Sequence, residues 1–257
     1  PYRVGGFRGK TTVVFQNMVP ISQYRAVGHP MGIVACDSLL EKAAIEMGID
    51  RLEIRRRNFI PDDSYPANSP GGVPLHDLSH QACLKKLEET IDLDVLKRDQ
   101  AEAKERGVHR GIGFASFIKG TNPGALIYGP AKVPISAVDG CTIRFEPAGG
   151  VTCQTGVTEQ GQGTETMIAQ IVASAIGMSF DDIRVITGDT NVMPYGGGTY
   201  GSRGAGIGGE ASWKAALTLR EQLLELAGVL LQTDAETLDI RDGVVVAPRR
   251  GDRRRRD

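Results

Sequence analysis

The sequence has no strong excess of one charge and no apolar run of membrane length. Its 257 residues carry 30 basic and 31 acidic side chains, for a formal net charge of -1. This balance gives no electrostatic reason to expect nucleic acid as a partner. We expect no membrane span, because no uninterrupted apolar stretch could cross a bilayer. A hydrophobic fraction of 40% predicts a substantial core in one or two domains.

The sequence also lacks the cysteine spacing of a metal or disulfide framework. There is no C-x-x-C pair and no evenly spaced set among Cys36, Cys83, Cys141 and Cys153, which argues against both kinds of site. We expect buried, reduced thiols in a reducing compartment, and hence a cytoplasmic protein. The first residues resemble the middle of a strand, so we expect this chain to be a piece of a longer polypeptide. The absence of a leader therefore says little about export.

Several familiar catalytic and nucleotide motifs are missing or incomplete. The sequence contains no G-x-x-x-x-G-K-[ST], and Ser202 has no G-x-S-x-G setting, so neither a nucleoside triphosphate site nor a serine hydrolase is supported. Gly204–Gly209 satisfies G-x-G-x-x-G, but no strand runs into it, which favours close packing of a helix start or another ligand. His76 and His80 could share a helix face as metal ligands. Without a third ligand nearby, exposed or capping histidines are the better interpretation.

Glycine is abundant in the stretch Gly156–Gly209. Two glycine-rich loops, Gly156–Thr166 and Pro194–Gly209, each run directly into a helix pattern. Glycines let the backbone approach a ligand, and a helix start presents unpaired N–H groups to anionic or carbonyl groups. The two loops therefore predict one extended polar ligand held from two sides.

Three polar side chains could grip such a ligand without reacting with it. Gln160 and Gln162 offer amide donors and acceptors, and Arg25 offers a rigid fork for oxo, phosphate or amide edges. The alternative is that these side chains only stabilise their own loops by hydrogen bonds.

Periodicity predicts an α+β fold. Strands are expected at Val13–Phe15 and Gly111–Ile118, in a hairpin of Cys141–Glu146 with Val151–Thr155, at Ile183–Ile186, and in a terminal hairpin of Leu238–Ile240 with Val244–Val246. Helices are expected at Ile33–Met47, Asp50–Phe59, Leu78–Ile91, Leu96–Arg106, Met167–Ile176 and Ala211–Gln232, with Gly48 and Gly177 as stops and Asp50 as a cap. The Arg55–Arg57 triplet predicts a solvated helix face with at most one arginine directed inward.

Six blocks in register resemble the molybdenum-binding large subunit of the xanthine dehydrogenase, aldehyde oxidase and aerobic carbon monoxide dehydrogenase family. They are Tyr24–Pro30, Glu41–Asp50, Arg55–Ile60, Gly161–Thr164, Gly188–Thr190 and Gly196–Arg203. The resemblance implies an α+β molybdenum-cofactor-binding domain with mixed sheets and packed helices. We expect residues 1–108 and 109–257 to form the first and second parts of the molybdopterin-binding region.

The resemblance also implies site residues by position. The segment formed by Tyr24, Arg25 and Ala26 is similar to the one that passes beside the molybdenum. Gln162 is similar to the glutamine whose amide grips the pterin, with Gly161 and Gly163 giving clearance. The loop that lines the cofactor or the approach of substrate corresponds to Thr199, Tyr200, Gly201 and Ser202. No side chain of this chain is expected to ligate the metal directly.

In this family the cofactor is molybdopterin with molybdenum, often in a cytosine dinucleotide form. Water supplies the oxygen that is inserted into a C–H bond of an aldehyde or a nitrogen heterocycle. Electrons leave through iron–sulfur clusters to FAD on partner domains or subunits. The resemblance therefore implies iron–sulfur and FAD-binding partners and a possible dimer of the assembled enzyme.

The sequence also departs from the family pattern. The catalytic glutamate base has no counterpart here and is expected beyond Asp257, and neither Glu159 nor Glu165 replaces it. Carbon monoxide enzymes carry a copper-binding cysteine after the motif arginine, whereas Ala26 stands here, which disfavours that activity. His29 stands where arginine or glycine is expected, which affects the local substrate contacts.

These departures leave several interpretations open. We expect little or no turnover from the isolated chain. One alternative is a noncatalytic homologue or assembly scaffold that binds no metal. Another is a basic-tailed binding module that uses Arg249–Arg256.

Overall fold

The structure is a computed structural model that describes residues 1–19, 24–70, 72–122, 138–193 and 195–247. The chain divides into two compact units, Pro1–Lys119 and Gly120–Asp257. Each combines helices with short sheets, so the predicted α+β class is confirmed. The basic tail at Arg249–Arg256 lies outside the described residues. The predicted division of the cofactor-binding region at residue 108 stays a prediction.

The first unit is mainly helical. It contains α1 (His29–Met47), α2 (Arg51–Asn58), α3 (His80–Thr90), α4 (Leu93–Glu105) and a ribbon of β1 (Ala67–Asn68) with β2 (Pro74–Leu75). Gly48 ends α1 in the left-handed region at φ 62°, as its sequence position predicts. Asp50 caps α2, because its Oδ1 accepts the N–H of Leu52 at 2.8 Å and that of Glu53 at 3.2 Å. Both predicted helix boundaries are confirmed.

A buried ion pair ties α1 to α2. The Arg55 guanidinium donates to Asp37 Oδ1 from Nε at 3.2 Å and from Nη2 at 3.1 Å. Nη2 also donates to the Phe114 carbonyl at 3.0 Å. Arg55 is 1% exposed, whereas Arg56 and Arg57 are exposed. The prediction that at most one arginine of the triplet points inward is confirmed.

The predicted strand at Gly111–Ile118 is wrong, although its alternation is present. Successive residues alternate between exposed and half-buried, as in a strand, but the segment pairs with no strand of the described ranges. Its backbone is held by side chains instead. The Ile112 carbonyl accepts from Arg51 Nη1 at 2.9 Å and the Phe114 carbonyl accepts from Arg55. Arginines of α2 thus satisfy carbonyls that a neighbouring strand would otherwise bind.

The predicted strand at Val13–Phe15 is also wrong. These residues have no ladder partner in the part of the chain that the structure describes. Val13 is 92% and Phe15 is 108% exposed. A β-rich segment becomes a strand only when another strand pairs with it, and local propensity cannot supply that partner.

The second unit is built on a three-stranded mixed sheet. Its strands are β3 (Cys141–Phe145), β4 (Val151–Thr155) and β5 (Ile183–Ile186), in the order β3-β4-β5, with β3 antiparallel and β5 parallel to β4. The other elements are α5 (Thr164–Ile176), α6 (Gly209–Leu231) and a hairpin of β6 (Asp239–Arg241) with β7 (Val244–Val246). All of these elements are among those predicted.

The core of the second unit lies between the sheet and its two long helices. Helices α5 and α6 pack against each other, and both contact the sheet. The shared interior is apolar and includes Val151, Cys153, Ile168, Val172, Ile176 and Ala216. Gly177 ends α5 at φ 89°, where a Cβ would overlap the Ile240 carbonyl. Since β4 leads into α5 through the first glycine-rich loop, this core fixes both ends of that loop.

The four cysteines, all in described ranges, are free thiols. Cys36 and Cys83 are exposed, so the prediction that all four are buried is wrong for these two. Cys153 is fully buried, and its Sγ lies 3.5 Å from Cys141 Sγ. The strand register places the two at diagonal positions, where Cα atoms are about 7–8 Å apart, beyond the usual disulfide range.

Within the described ranges, no helix has both the length and the apolarity that a membrane span requires.

The Asp37–Arg55 pair leads to a stability prediction. Arg55→Ala leaves the Asp37 carboxylate buried without its cation, and we expect the free energy of unfolding to fall by about 3–5 kcal/mol. The matched control is Arg57→Ala, since the exposed Arg57 pairs with Glu53 on the surface and its loss should cost at most about 1 kcal/mol. Urea unfolding followed by circular dichroism measures both changes. If the two variants unfolded at the same urea concentration, the buried ion pair would not have the proposed effect on stability.

Candidate functional site

The two glycine-rich loops of the second unit touch at a pair of glycines. A Cβ on Gly156 would overlap the Cα of Gly196, and a Cβ on Gly196 would overlap Gly156 in return. Asp139, just before β3, forms an antiparallel bridge with Gly196, and the N–H of Gly156 donates to the Gly140 carbonyl at 3.3 Å. The loops can approach this closely only because both positions lack a side chain.

Polar side chains fasten the loops together next to this contact. Thr199 Oγ1 accepts the N–H of Thr158 at 2.7 Å and donates to the Thr158 carbonyl at 2.7 Å. Gln160 Nε2 donates to the Thr199 carbonyl at 2.9 Å. The alternative interpretation of Gln160, that it stabilises the loops, therefore describes its observed contact.

A buried ion pair anchors the second loop from the inside. Arg203 Nη1 donates to Asp139 Oδ2 at 2.7 Å, and both side chains are at most 1% exposed. Nη1 and Nη2 also donate to the carbonyls of Gly198 at 2.5 Å and Val138 at 2.6 Å. The Tyr200 ring centroid lies 5.2 Å from Arg203 Cζ, within the range of cation–π attraction. Arg203 thus sets the path of the loop that carries Thr199–Ser202.

The predicted free N–H groups of the first loop are not free. Glu159 Oε1 accepts the N–H groups of Gln160, Gly161 and Gly163 at 3.0, 2.7 and 3.0 Å. Its Oε2 accepts the N–H of Glu165 at 3.2 Å. The expectation of an open anion cradle at the start of α5 is therefore wrong, because the chain's own carboxylate occupies it.

Gln162 stands on the exposed side of this loop. Its Oε1 accepts the N–H of Gln160 at 2.7 Å, and its Nε2 donates to Thr164 Oγ1 at 2.7 Å. Nε2 also lies 3.5 Å from the Thr158 carbonyl. An amide oxygen has two lone pairs, so Oε1 retains one for a further donor.

The flanking glycines leave space beside Gln162. Gly161 and Gly163 have φ of 87° and 81°, and a Cβ on either would meet no atom within 4 Å. The same holds for Gly198 in the second loop. The structure thus joins Thr199 to Thr158 and Gln160 in the second unit, and it leaves open space at Gly161, Gly163 and Gly198.

The predicted segment Tyr24–Ala26 belongs to the first unit, where it forms the turn before α1. Tyr24 and Arg25 are exposed. Ala26 has a φ of 81° and Val27 a φ of 38°, a region that non-glycine residues rarely adopt. His29 Nδ1 lies 2.7 Å from the Ala26 carbonyl, so the residue that departs from the family pattern helps to close this turn.

The apparent dinucleotide motif is explained by packing. Gly204–Gly208 forms a π-helical turn that leads into α6, without the preceding strand of a dinucleotide fold. A Cβ on Gly206 would overlap the Asn122 side chain, and one on Gly208 would meet Val157 Cγ1 at 2.6 Å. The prediction of close packing at a helix start is confirmed.

His80, one of the two histidines of the candidate metal pair, has a structural contact. In the described residues, no three His, Cys, Asp or Glu side chains are grouped to hold a metal ion. His80 is the first residue of α3, and its Nε2 lies 3.3 Å from the Phe117 carbonyl. Burial lowers the pKa of His80 below its ordinary value. These observations agree with the interpretation of His80 as a structural histidine.

Sequence reasoning missed the two carboxylates that organise this site. Asp139 pairs with Arg203, which lies 64 positions later in the sequence. At that separation, no local sequence pattern indicates the pair. Glu159 did leave a signal, since an acidic residue just before a glycine loop and a helix is well placed to bind the helix N–H groups. The prediction that Glu159 is not a catalytic base agrees with its engagement by backbone donors.

The glycine contact leads to a second prediction. Gly196→Ala introduces a methyl group that overlaps Gly156, and we expect the free energy of unfolding to fall by about 1–3 kcal/mol through overpacking. Gly204→Ala is the control, because its Cβ would meet no atom within 4 Å and its change should stay within about 1 kcal/mol. Urea unfolding and amide exchange at Thr158 measure the effect. Unchanged exchange in Gly196→Ala would show that the contact is dispensable.

Comparison with known proteins shows the family of this chain. Two family models, both described as molybdopterin cofactor-binding domain, match residues 1–59 and 86–256. The nicotine 6-hydroxylase large subunit of Paenarthrobacter nicotinovorans is 32% identical over 227 residues, which are 88% of this chain and 28% of that protein. The xanthine dehydrogenase molybdenum-binding subunit of Escherichia coli O157:H7 is 31% identical over 233 residues, which are 90% of this chain and 30% of that protein.

A solved structure agrees as well. Quinoline 2-oxidoreductase from Pseudomonas putida 86 superposes with a TM-score of 0.75 at 35% identity, covering 89% of this chain and 29% of that chain. The chain therefore spans under a third of the length of these relatives. Because one family model covers more than half of the chain, the chain belongs to the molybdopterin cofactor-binding domain family of molybdenum-binding large subunits.

Proposed function

We propose that this chain contributes the molybdopterin-binding loops of an enzyme that hydroxylates a nitrogen heterocycle. When bound, the molybdenum cofactor supplies the two-electron oxidation of a substrate C–H bond, with water as the oxygen source. One observation carries the proposal. The two loops are joined by hydrogen bonds, and the first loop exposes Gln162 next to glycines that have open space beside them. The chain also belongs to the molybdopterin-binding family. The protein's part is to bind and orient the cofactor.

The residues present fit the hydrogen-bonding edge of a pterin. A pterin carries N–H donors and ring nitrogen acceptors along its edge. Gln162 Oε1 keeps a lone pair for such a donor, and its exposed amide lies beside the open faces of Gly161 and Gly163. In the proposal, Gln162 binds the pterin edge, and Thr199, Tyr200, Gly201 and Ser202 line the cofactor or the path of substrate.

Tyr24, Arg25 and Ala26 complete the proposed set of cofactor-binding residues. Arg25 is exposed, and its planar fork suits oxo or phosphate oxygens. The proposed binding region has two parts, residues 1–108 and 109–257. No side chain of either part is proposed as a metal ligand.

The relatives favour a heterocycle over an aldehyde as the substrate class. The names of the relatives at 35% and 32% identity specify quinoline and nicotine, both of which contain aromatic nitrogen rings. Aldehyde oxidoreductases match at 19% and 18% identity, which supports a shared fold only. Carbon monoxide dehydrogenase large chains match at 30–31%, but Ala26 stands where the family pattern of those enzymes has a cysteine.

The proposal extends to the wider assembly. Iron–sulfur clusters and FAD would lie on partner domains or subunits and accept the electrons. The proposed cofactor is molybdopterin in its cytosine dinucleotide form, which is often the form in this family. In the proposal, the reacting glutamate base is none of these 257 residues, and the assembled enzyme is a cytoplasmic dimer.

Purification of the assembled enzyme from molybdenum-replete cells tests this function. We expect stoichiometric molybdenum and dye-linked oxidation of a quinoline- or pyridine-type ring, with isotope from labelled water in the product. The isolated chain should turn over little or not at all. A folded assembly without molybdenum would support the noncatalytic scaffold instead, and preferential oxidation of aldehydes or carbon monoxide would overturn the substrate class.

Gln162 provides a residue-level test. Gln162→Ala removes one neutral hydrogen bond to the cofactor, worth about 0.5–1.5 kcal/mol, so we expect cofactor affinity to fall about 2- to 12-fold. Gln170→Ala is the matched control, because Gln170 is exposed on α5. Molybdenum retained after dilution and gel filtration measures the change. Equal retention in both variants would remove Gln162 from the proposed site.

A further inference from the structure

The carboxylate of Glu159 fills the position that an external anion would occupy at the start of α5. Four backbone N–H groups converge on it, from Gln160, Gly161, Gly163 and Glu165, at 2.7 to 3.2 Å. Such a ring of N–H groups around a helix start ordinarily binds phosphate or sulfate. Here the chain supplies its own anion, from the residue immediately before the ring.

Glu159 is held in its charged form. Partial desolvation favours the protonated carboxyl, but the N–H groups of Glu165, Gly163 and Gly161 outweigh it and lower the pKa of Glu159 below its ordinary value. Charged side chains on neighbouring elements have other partners. Glu165 Oε1 accepts from Thr187 Oγ1 at 3.1 Å, and Arg203 is paired with Asp139.

The same carboxylate controls the backbone on both sides of Gln162. Gly161 and Gly163, which flank it, both donate to Glu159 Oε1. The N–H of Gln160 is shared between Glu159 Oε1 at 3.0 Å and Gln162 Oε1 at 2.7 Å. A change in the position of the carboxylate therefore moves the backbone on both sides of Gln162, and with it the Gln162 side chain.

We propose that Glu159 is a positioning residue: its carboxylate replaces an external anion in the first loop and holds Gln162 in the orientation that meets the cofactor. This inference rests on the proposed function. It also assigns the first loop to a neutral, hydrogen-bonding part of the cofactor, because no N–H group of the ring is left for a phosphate. The phosphate end must then be bound by other residues.

The expected pH dependence follows from the direction of the pKa shift. A carboxyl whose pKa is depressed in the folded state contributes stability above its ordinary pKa of about 4.3, and that contribution is lost as pH falls through the folded pKa. Protonation in this acidic window also weakens the bonds between Glu159 and the N–H groups beside Gln162, so we expect release of the cofactor from the folded protein to accelerate there.

The experiment compares Glu159→Gln with Glu165→Gln in the assembled enzyme. Both variants remove one carboxylate near the start of α5, but only Glu159 binds the N–H ring. We expect Glu159→Gln to release cofactor about tenfold faster at neutral pH, because hydrogen bonds to a charged acceptor are about twice as strong as neutral ones, and to lose the acid acceleration. Wild type and Glu165→Gln should keep slow release at neutral pH and faster release in acid. Circular dichroism verifies that the fold is retained.

Amide exchange separates this inference from the proposed function. In cofactor-free protein, Glu159→Gln should expose the amides of Gly161, Gly163 and Glu165 to faster exchange. Unchanged exchange of these amides would overturn the role of Glu159. Faster amide exchange with an unchanged rate of cofactor release would show that Glu159 only caps the helix. If the wild-type enzyme assembled without any molybdenum, the proposed function would be overturned, even if Glu159→Gln accelerated amide exchange. If Glu159→Gln fails to assemble, Glu159→Asp takes its place. Its carboxylate, one methylene shorter, should give faster amide exchange and faster release at neutral pH, but it should keep the acid acceleration.

Discussion

The contact between Gly156 and Gly196 is the constraint on which the arrangement of the two loops depends. At these positions any side chain would overlap the opposite backbone, so the loops approach at the level of their main chains. Thr199 can then bond both backbone groups of Thr158, and Arg203 holds the second loop from the buried side. The exposed faces remain free for a ligand because the fastening groups lie between and beneath the loops.

Charged groups beside the two loops are matched by partners from the chain itself. The helix start at α5, which favours an anion, is matched by the carboxylate of Glu159. The Arg203 guanidinium is matched by Asp139 beneath the second loop. The first loop also presents the exposed amide of Gln162. A neutral amide suits the edge of a heterocyclic cofactor, and it orients such a group without competing for its protons.

Features encoded by adjacent residues were predictable from the sequence, and features that join distant segments were not. The Asp50 cap, the glycine stop at Gly48 and the hairpin after β3 depend on a few neighbouring residues, and all are present. Gly111–Ile118 keeps the alternation of a strand but binds arginine side chains instead of a neighbouring strand. Gln162 and Arg25 were candidates from their side-chain chemistry alone, and the other proposed site residues were reached through family resemblance. The burial of Arg203 could not be read from local sequence, because its partner lies 64 positions away.

A structure of the assembled enzyme with its cofactor bound tests the central claim most directly. The account predicts the Gln162 side-chain amide within hydrogen-bonding distance of the pterin, about 3 Å, with the Glu159 carboxylate still bonded to the N–H groups of Gly161 and Gly163. A pterin bound away from both glycine loops would contradict the account. So would a cofactor phosphate seated in the N–H ring with Glu159 displaced.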